Sequence, residues 1–131
     1  MMRHEDLYLV DIIEAAAQID QFLHHCDAQR FTSDDLNQSA VVWKLIVIGE
    51  ASIKLAPDTK NRFSDIPWER IKGFRNRLVH GYFTLKWEEV WRVASVEVPR
   101  LREQAERILA TDYPETYRKL LERQNQKPNF E

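Results

Sequence analysis

The run Val41-Val42-Trp43-Lys44-Leu45-Ile46-Val47-Ile48-Gly49 is apolar on almost every side when wound as a helix. A helix without a broad polar face must either sit at the centre of a bundle or be covered by a second subunit. The run lies inside a longer helical pattern that takes in Leu36, Ala40, Ile53 and Leu55. Thr32-Ser33-Asp34 offers a cap at its start, and Pro57 ends it. Gly49 within it permits close approach of another helix. Only three glycines and five prolines interrupt the chain, which favours helices over strands throughout.

Leu7, Val10, Ile13, Ala17 and Phe22 or Leu23 recur at helical spacing and predict an amphipathic first helix to about Cys26. The polar stretch Asp58 to Asp65 reads as a surface loop. Pro67 suits the first turn of the next helix, which runs to Val79 or His80. Gly81 is placed to close it in the left-handed conformation. Thr84 is the expected cap of the following helix, whose core positions include Val90, Ala94, Val98, Leu101 and Ile108. Pro99 should kink or distort it. A shorter helix from Pro114 to Gln124 precedes a polar tail, Asn125 to Glu131, expected to be disordered. The expected fold is all-α: an up-and-down bundle of four main helices plus a short fifth, forming one domain over residues 1–124. At 131 residues such a domain buries about two-thirds of its unfolded surface.

The single Cys26 excludes an internal disulfide, and no cysteine or histidine spacing suits zinc. Adjacent His24 and His25 point in different directions on a helix, so a shared metal is not expected. The charged start, Met1 to Asp6, has no long apolar run behind it, which argues against a signal peptide or membrane span and for the cytoplasm. A net charge of −2 does not mark a nucleic-acid binder. Locally, Arg70, Lys72, Arg75, Arg77, His80 and Lys86 gather in one region, as a phosphate-binding patch or as an ordinary solvated helix face.

That region contains Gly73-Phe74-Arg75-Asn76-Arg77-Leu78-Val79-His80-Gly81-Tyr82-Phe83. Guanidinium binds phosphate through a planar fork and stays charged, and imidazole exchanges a proton near neutral pH. RNA cleavage through its own 2′-hydroxyl needs a base, an acid, and cations for the charge that builds on phosphorus. Arg75 and His80 are candidates for those tasks. Five residues apart, they lie roughly 140° apart around an ideal helix, so they share a site only where His80 is at a fraying end.

These residues, with Ile66-Pro67-Trp68 before them, Trp87 to Trp91 after them, and Ile48-Gly49-Glu50-Ala51 on the preceding helix, resemble the HepT-like branch of the HEPN superfamily of nucleotide-binding helical domains. The resemblance covers nearly the whole chain in length and helix order. Its signature is Arg, a polar residue, three more residues, then His-x-Tyr, matched by Arg75, Asn76, His80 and Tyr82 without a gap. It implies the toxin of a toxin–antitoxin pair: a homodimeric, metal-independent endoribonuclease with two motif copies facing each other, cutting tRNA or mRNA to 2′,3′-cyclic phosphate ends. It also implies a minimal nucleotidyltransferase antitoxin that silences the nuclease by transferring AMP from ATP onto Tyr82. No cofactor of the chain's own is expected.

Each residue also has a bland role. His80 can serve proton transfer or cap the last carbonyls of its helix. Arg75 can clamp the scissile phosphate or form a salt bridge to Glu50, and the two are compatible because a carboxylate can orient an arginine. Asn76 can bind substrate or hold the helix end. Arg77 is expected to bind phosphate or remain a surface charge. Tyr82, in a turn past the helix, is either exposed and open to modification or a buried core residue. Trp43, Trp68, Trp87 and Trp91 are expected in the core or an interface rather than stacked on bases. The alternatives to a nuclease are a non-catalytic nucleotide- or RNA-binding partner of a nucleotidyltransferase, and a structural dimerisation domain.

Overall fold

A computed structural model describes residues 3–126; the expected disorder of residues 127–131 lies outside this range. The described chain is helical, without a strand. Its elements are α1 (Glu5–Leu23), α2 (Ala28–Phe31), α3 (Asp35–Ile53), α4 (Pro57–Arg62), α5 (Trp68–His80), a 3-10 turn (Tyr82–Thr84), α6 (Trp87–Arg92), a π segment (Val93–Glu97), α7 (Val98–Asp112) and α8 (Pro114–Gln126).

The centre belongs to α1. Leu9, Ile12, Ile13 and Ile19 are fully or almost fully buried, between α3 on one side and the π segment with α7 on the other. The apolar α3 is instead flanked by α1 and α5, and its third side is open, so Trp43 is 61% exposed and Leu36 more so. Trp68 and Trp91 pack against the core as expected. Asp34 caps α3 by accepting a hydrogen bond from the Asn37 backbone N–H at 3.1 Å, and Asn37 Nδ2 donates to the carbonyl of Phe22, tying α3 to the end of α1.

Several expected boundaries are corrected. The first helix ends at Leu23, and Asp27 caps the short α2 that follows. Pro57 does not stop α3, which ends at Ile53; it opens α4, in the stretch expected to be a loop. Its fixed φ suits a first turn, Arg62 and Asp58 pair four residues apart, and Thr59 is buried. Thr84 does not cap α6. Its hydroxyl donates to the Gly81 carbonyl at 2.7 Å and closes the 3-10 turn, leaving Lys86 at the cap position. Gly81 ends α5 at φ −132° and not in the left-handed region, its N–H donating to the Arg77 carbonyl. α8 continues through Asn125 and Gln126.

The expected distortion at Pro99 is present as the π segment just before it. Proline has no N–H for the carbonyl four residues back, and its ring crowds that carbonyl. The chain widens there by one residue per turn, with Val98 N–H reaching back to Val93. Glu5 ties the start of α1 to the segments that follow α3 and α7: one carboxylate oxygen accepts from Ala56 N–H at 3.0 Å, the other from the Tyr113 hydroxyl at 2.7 Å. Burial, aided by this carboxylate, pushes the Tyr113 phenol up to about 12.

Candidate functional site

The site begins with a glycine. α3 and α5 cross at Gly49, where a side-chain carbon would fall 2.5 Å from Cβ and 2.6 Å from Cγ of Arg75. Only hydrogen at that position lets the two backbones come this close. The contact presses the stem of Arg75 against α3, beside Glu50. The guanidinium Nη2 donates to Glu50 Oε1, and Nη1 donates to the Asn76 side-chain oxygen at 3.0 Å. Arg75 Nε is buried and has no hydrogen-bond acceptor among the described residues. The arginine is thus held from two sides, with one of its three guanidinium nitrogens, Nε, meeting no protein oxygen among the described residues.

Arg77, half a turn on, faces the other way. It forms a two-pronged pair with Glu89 of α6, at 2.6 and 3.0 Å. The Arg77 hydrogen bond holds the Glu89 carboxyl below the usual carboxylate range, against the opposing effect of burial. Sequence reasoning missed Glu89, because nothing in the spacing of Trp87 to Arg92 says which face of α6 meets α5. Arg77 is therefore a tether between helices as well as a surface cation.

His80 is the last residue of α5, and its side chain is exposed. No hydrogen bond joins it to Arg75 among the described residues. One chain brings Arg75, Asn76 and Glu50 together, and leaves His80 at the open end of the helix. Tyr82 follows in the 3-10 turn at 72% exposure, which removes the buried-core alternative for it. Its ring meets Phe83 edge-on at 6.1 Å between centroids, and Phe83 is exposed too. Among the described residues, no three His, Cys, Asp or Glu side chains converge as a metal site requires, and His24 and His25 stack edge-to-face at 4.6 Å. No helix there is long and apolar enough to cross a membrane.

Beside Arg75 lies a cavity of about 590 Å³ that the sequence did not announce. It separates α5 from the π segment and α7, because α5 packs chiefly on α3. Ile48, Ile71, Phe74, Val98 and Leu101 form its apolar walls. Two ion pairs tie α5 to the opposite side, Arg77 to Glu89 and Arg70 to Glu97. Glu97 also accepts from Arg92 at 3.3 Å.

The family described as Ribonuclease HepT-like matches residues 12–108, a span that contains α3, the Arg75 to Tyr82 motif and most of α7. A protein of Thermococcus cleftensis named probable ribonuclease HepT is 33% identical over 105 residues, covering 80% of this chain and 94% of its own. Two proteins of Methanocaldococcus jannaschii named as candidate RNases are 31% and 32% identical, covering 76% and 78% of this chain and 91% and 84% of theirs. No solved structure matches the chain. The chain belongs to the HepT-like ribonuclease family of the HEPN superfamily.

Proposed function

We propose that the chain is the toxin of a toxin–antitoxin pair, an endoribonuclease that cuts RNA without a metal at a site built from Arg75, Asn76 and His80. One observation carries this reading: the residues of the Arg-x4-His-x-Tyr motif lie on one helix end and the turn after it, with Arg75 fixed in place by Glu50 and Asn76. The relatives named as ribonucleases support it.

His80 takes the proton from a 2′-hydroxyl, whose oxygen attacks the adjacent phosphorus. The bond from phosphorus to the 5′-oxygen breaks, and a second imidazole returns a proton to that oxygen, leaving a 2′,3′-cyclic phosphate and a 5′-hydroxyl. Each such proton transfer contributes on the order of 10²–10⁴-fold in rate. Arg75 holds the non-bridging oxygens as charge builds on them, and Asn76 keeps its guanidinium turned to that task.

A second copy of the chain completes the site. His80 and Arg75 are not joined within one chain, and the open side of α3 carries Trp43 and Leu36 where a two-fold partner would cover them. Tyr82 is the control point. Its exposed hydroxyl is open to a nucleotidyltransferase antitoxin, and AMP attached there puts a phosphate and a bulky group beside the arginines. The protein then works in the cytoplasm, where RNA, ATP and the antitoxin meet.

A second reading has its own support. Glu50 already occupies Arg75, as suits a module that binds nucleotide or RNA without turning it over. Arg75→Ala and His80→Ala separate the two: both abolish RNA cleavage and growth inhibition in a nuclease, whereas in a binding module no cleavage exists to lose.

A further inference from the structure

Gly73 is a costly residue for its place. It sits inside α5, where glycine is among the poorest helix formers, and a side-chain carbon built on it meets nothing within 4 Å. No packing among the described residues therefore requires it, in contrast to Gly49. It borders the cavity between α5 and α7, two residues before Arg75. A glycine kept at a cavity wall with open space before it lets a ligand approach the backbone.

The cavity's chemistry says which ligand. Its volume, about 590 Å³, lies in the range of small-molecule sites, and its walls are apolar. Five arginines border it, Arg70, Arg75, Arg77, Arg92 and Arg100, against three carboxylates. Arg100 is exposed and forms no ion pair among the described residues, so its charge stands free at the rim. An apolar slot ringed by guanidinium groups matches a flat base carried on a phosphate backbone. The closures at Arg70–Glu97 and Arg77–Glu89 are surface ion pairs that a phosphate can exchange for its own contacts.

We propose that this cavity receives one unpaired base of the RNA, next to the phosphate held by Arg75, with the backbone passing Gly73 and the following phosphate reaching Arg100. The assignment rests on the ribonuclease reading for its substrate. It makes the enzyme one for single-stranded segments, because a paired base cannot leave its helix to enter, and it places base preference in the walls around Ile71 and Val98.

The test uses wild type, Gly73→Met, and Arg100→Gln as a surface variant that leaves the helix interior untouched. Cleavage is measured on a labelled single-stranded oligoribonucleotide and on the same strand annealed to its complement. Binding of both is measured in the His80→Ala background, and oligomeric state by light scattering. The expected result is that Gly73→Met unfolds no more easily than wild type, keeps its oligomeric state, and raises KM and weakens binding about tenfold, with kcat little changed. Arg100→Gln weakens single-strand binding and makes it less dependent on salt. The duplex is neither bound nor cut. If both variants cut and bind as wild type does, the base site is overturned and the nuclease stands. If Gly73→Met changes the oligomeric state, the cavity mouth is covered by another copy and the base site is again overturned. If wild type binds single strands in a Gly73-dependent way without cutting them, the base site stands and the nuclease reading falls. Neither binding nor cutting by wild type removes both.

Discussion

Gly49 and Arg75 meet so closely that a methyl group on the glycine would lie 2.5 Å from the arginine's Cβ. The crossing of α3 and α5 and the placement of the candidate phosphate clamp are thus one feature of the packing.

Gly49→Ala should therefore push the two helices apart, since the colliding atoms are at the base of the arginine side chain and cannot swing away. Overpacking of this kind costs about 1–3 kcal/mol. Chemical denaturation should show that loss, with RNA cleavage falling in parallel. Gly73→Ala, in the next-but-one position before Arg75, should gain up to about 1 kcal/mol from helix propensity alone. An unchanged Gly49→Ala midpoint would mean that the crossing is looser than described.

Glu50→Ala frees Arg75 from its carboxylate partner. The fold should survive, since Glu50 is partly exposed. Cleavage should drop about tenfold or more because the guanidinium is no longer aimed. The drop should appear in kcat, and Glu50→Gln should restore part of it by keeping one acceptor. A faster Glu50→Ala enzyme would identify Glu50 as a competitor of the substrate phosphate.

The Arg77–Glu89 pair is half-exposed, so Glu89→Gln should cost no more than about 1 kcal/mol at neutral pH. Because the folded state holds the Glu89 carboxyl low, its contribution is present above the ordinary glutamate range and is lost as pH falls through the folded value. Unfolding of Glu89→Gln should therefore depend less on pH in acid than unfolding of wild type.

Tyr113 gives the opposite sign. Its phenol is pushed up to about 12 in the fold from an ordinary 10.0, so the folded state keeps a proton that the unfolded chain loses. The stabilisation is complete below the ordinary value and disappears as pH rises toward the folded one. Tyr113→Phe should remove that alkaline slope, at the expense of the hydrogen bond to Glu5 at all lower pH.

How much of this was legible in the sequence follows from what each signal encodes. Helical periodicity gave the long helices, and the side chains Thr32 to Asp34 and Pro99 gave the cap and the distortion, because all of these are local. It misplaced α4, since the polar residues of Asp58 to Arg62 read alike in a loop and in a short exposed helix. Thr84 looked like a cap because the sequence does not show that its hydroxyl is spent on Gly81. The all-round apolarity of α3 allowed a place at the centre or against a second subunit; within one chain the centre is α1 and Trp43 stands open on α3, which removes only the first alternative. Around the motif, the Arg75–Glu50 pairing and the exposed position of Tyr82 were readable from the motif and its neighbour helix. Glu89, Glu97 and the cavity were not, because they depend on how far α5 stands from α7, and that distance is set by tertiary packing.

The central claim is best tested by incubating wild type and His80→Ala with end-labelled RNA in EDTA, after mass spectrometry has shown Tyr82 to be unmodified. Cleavage by wild type alone, leaving 2′,3′-cyclic phosphate ends, is the predicted result. Equal cleavage by both proteins, or none by either, contradicts a metal-free ribonuclease that works through His80.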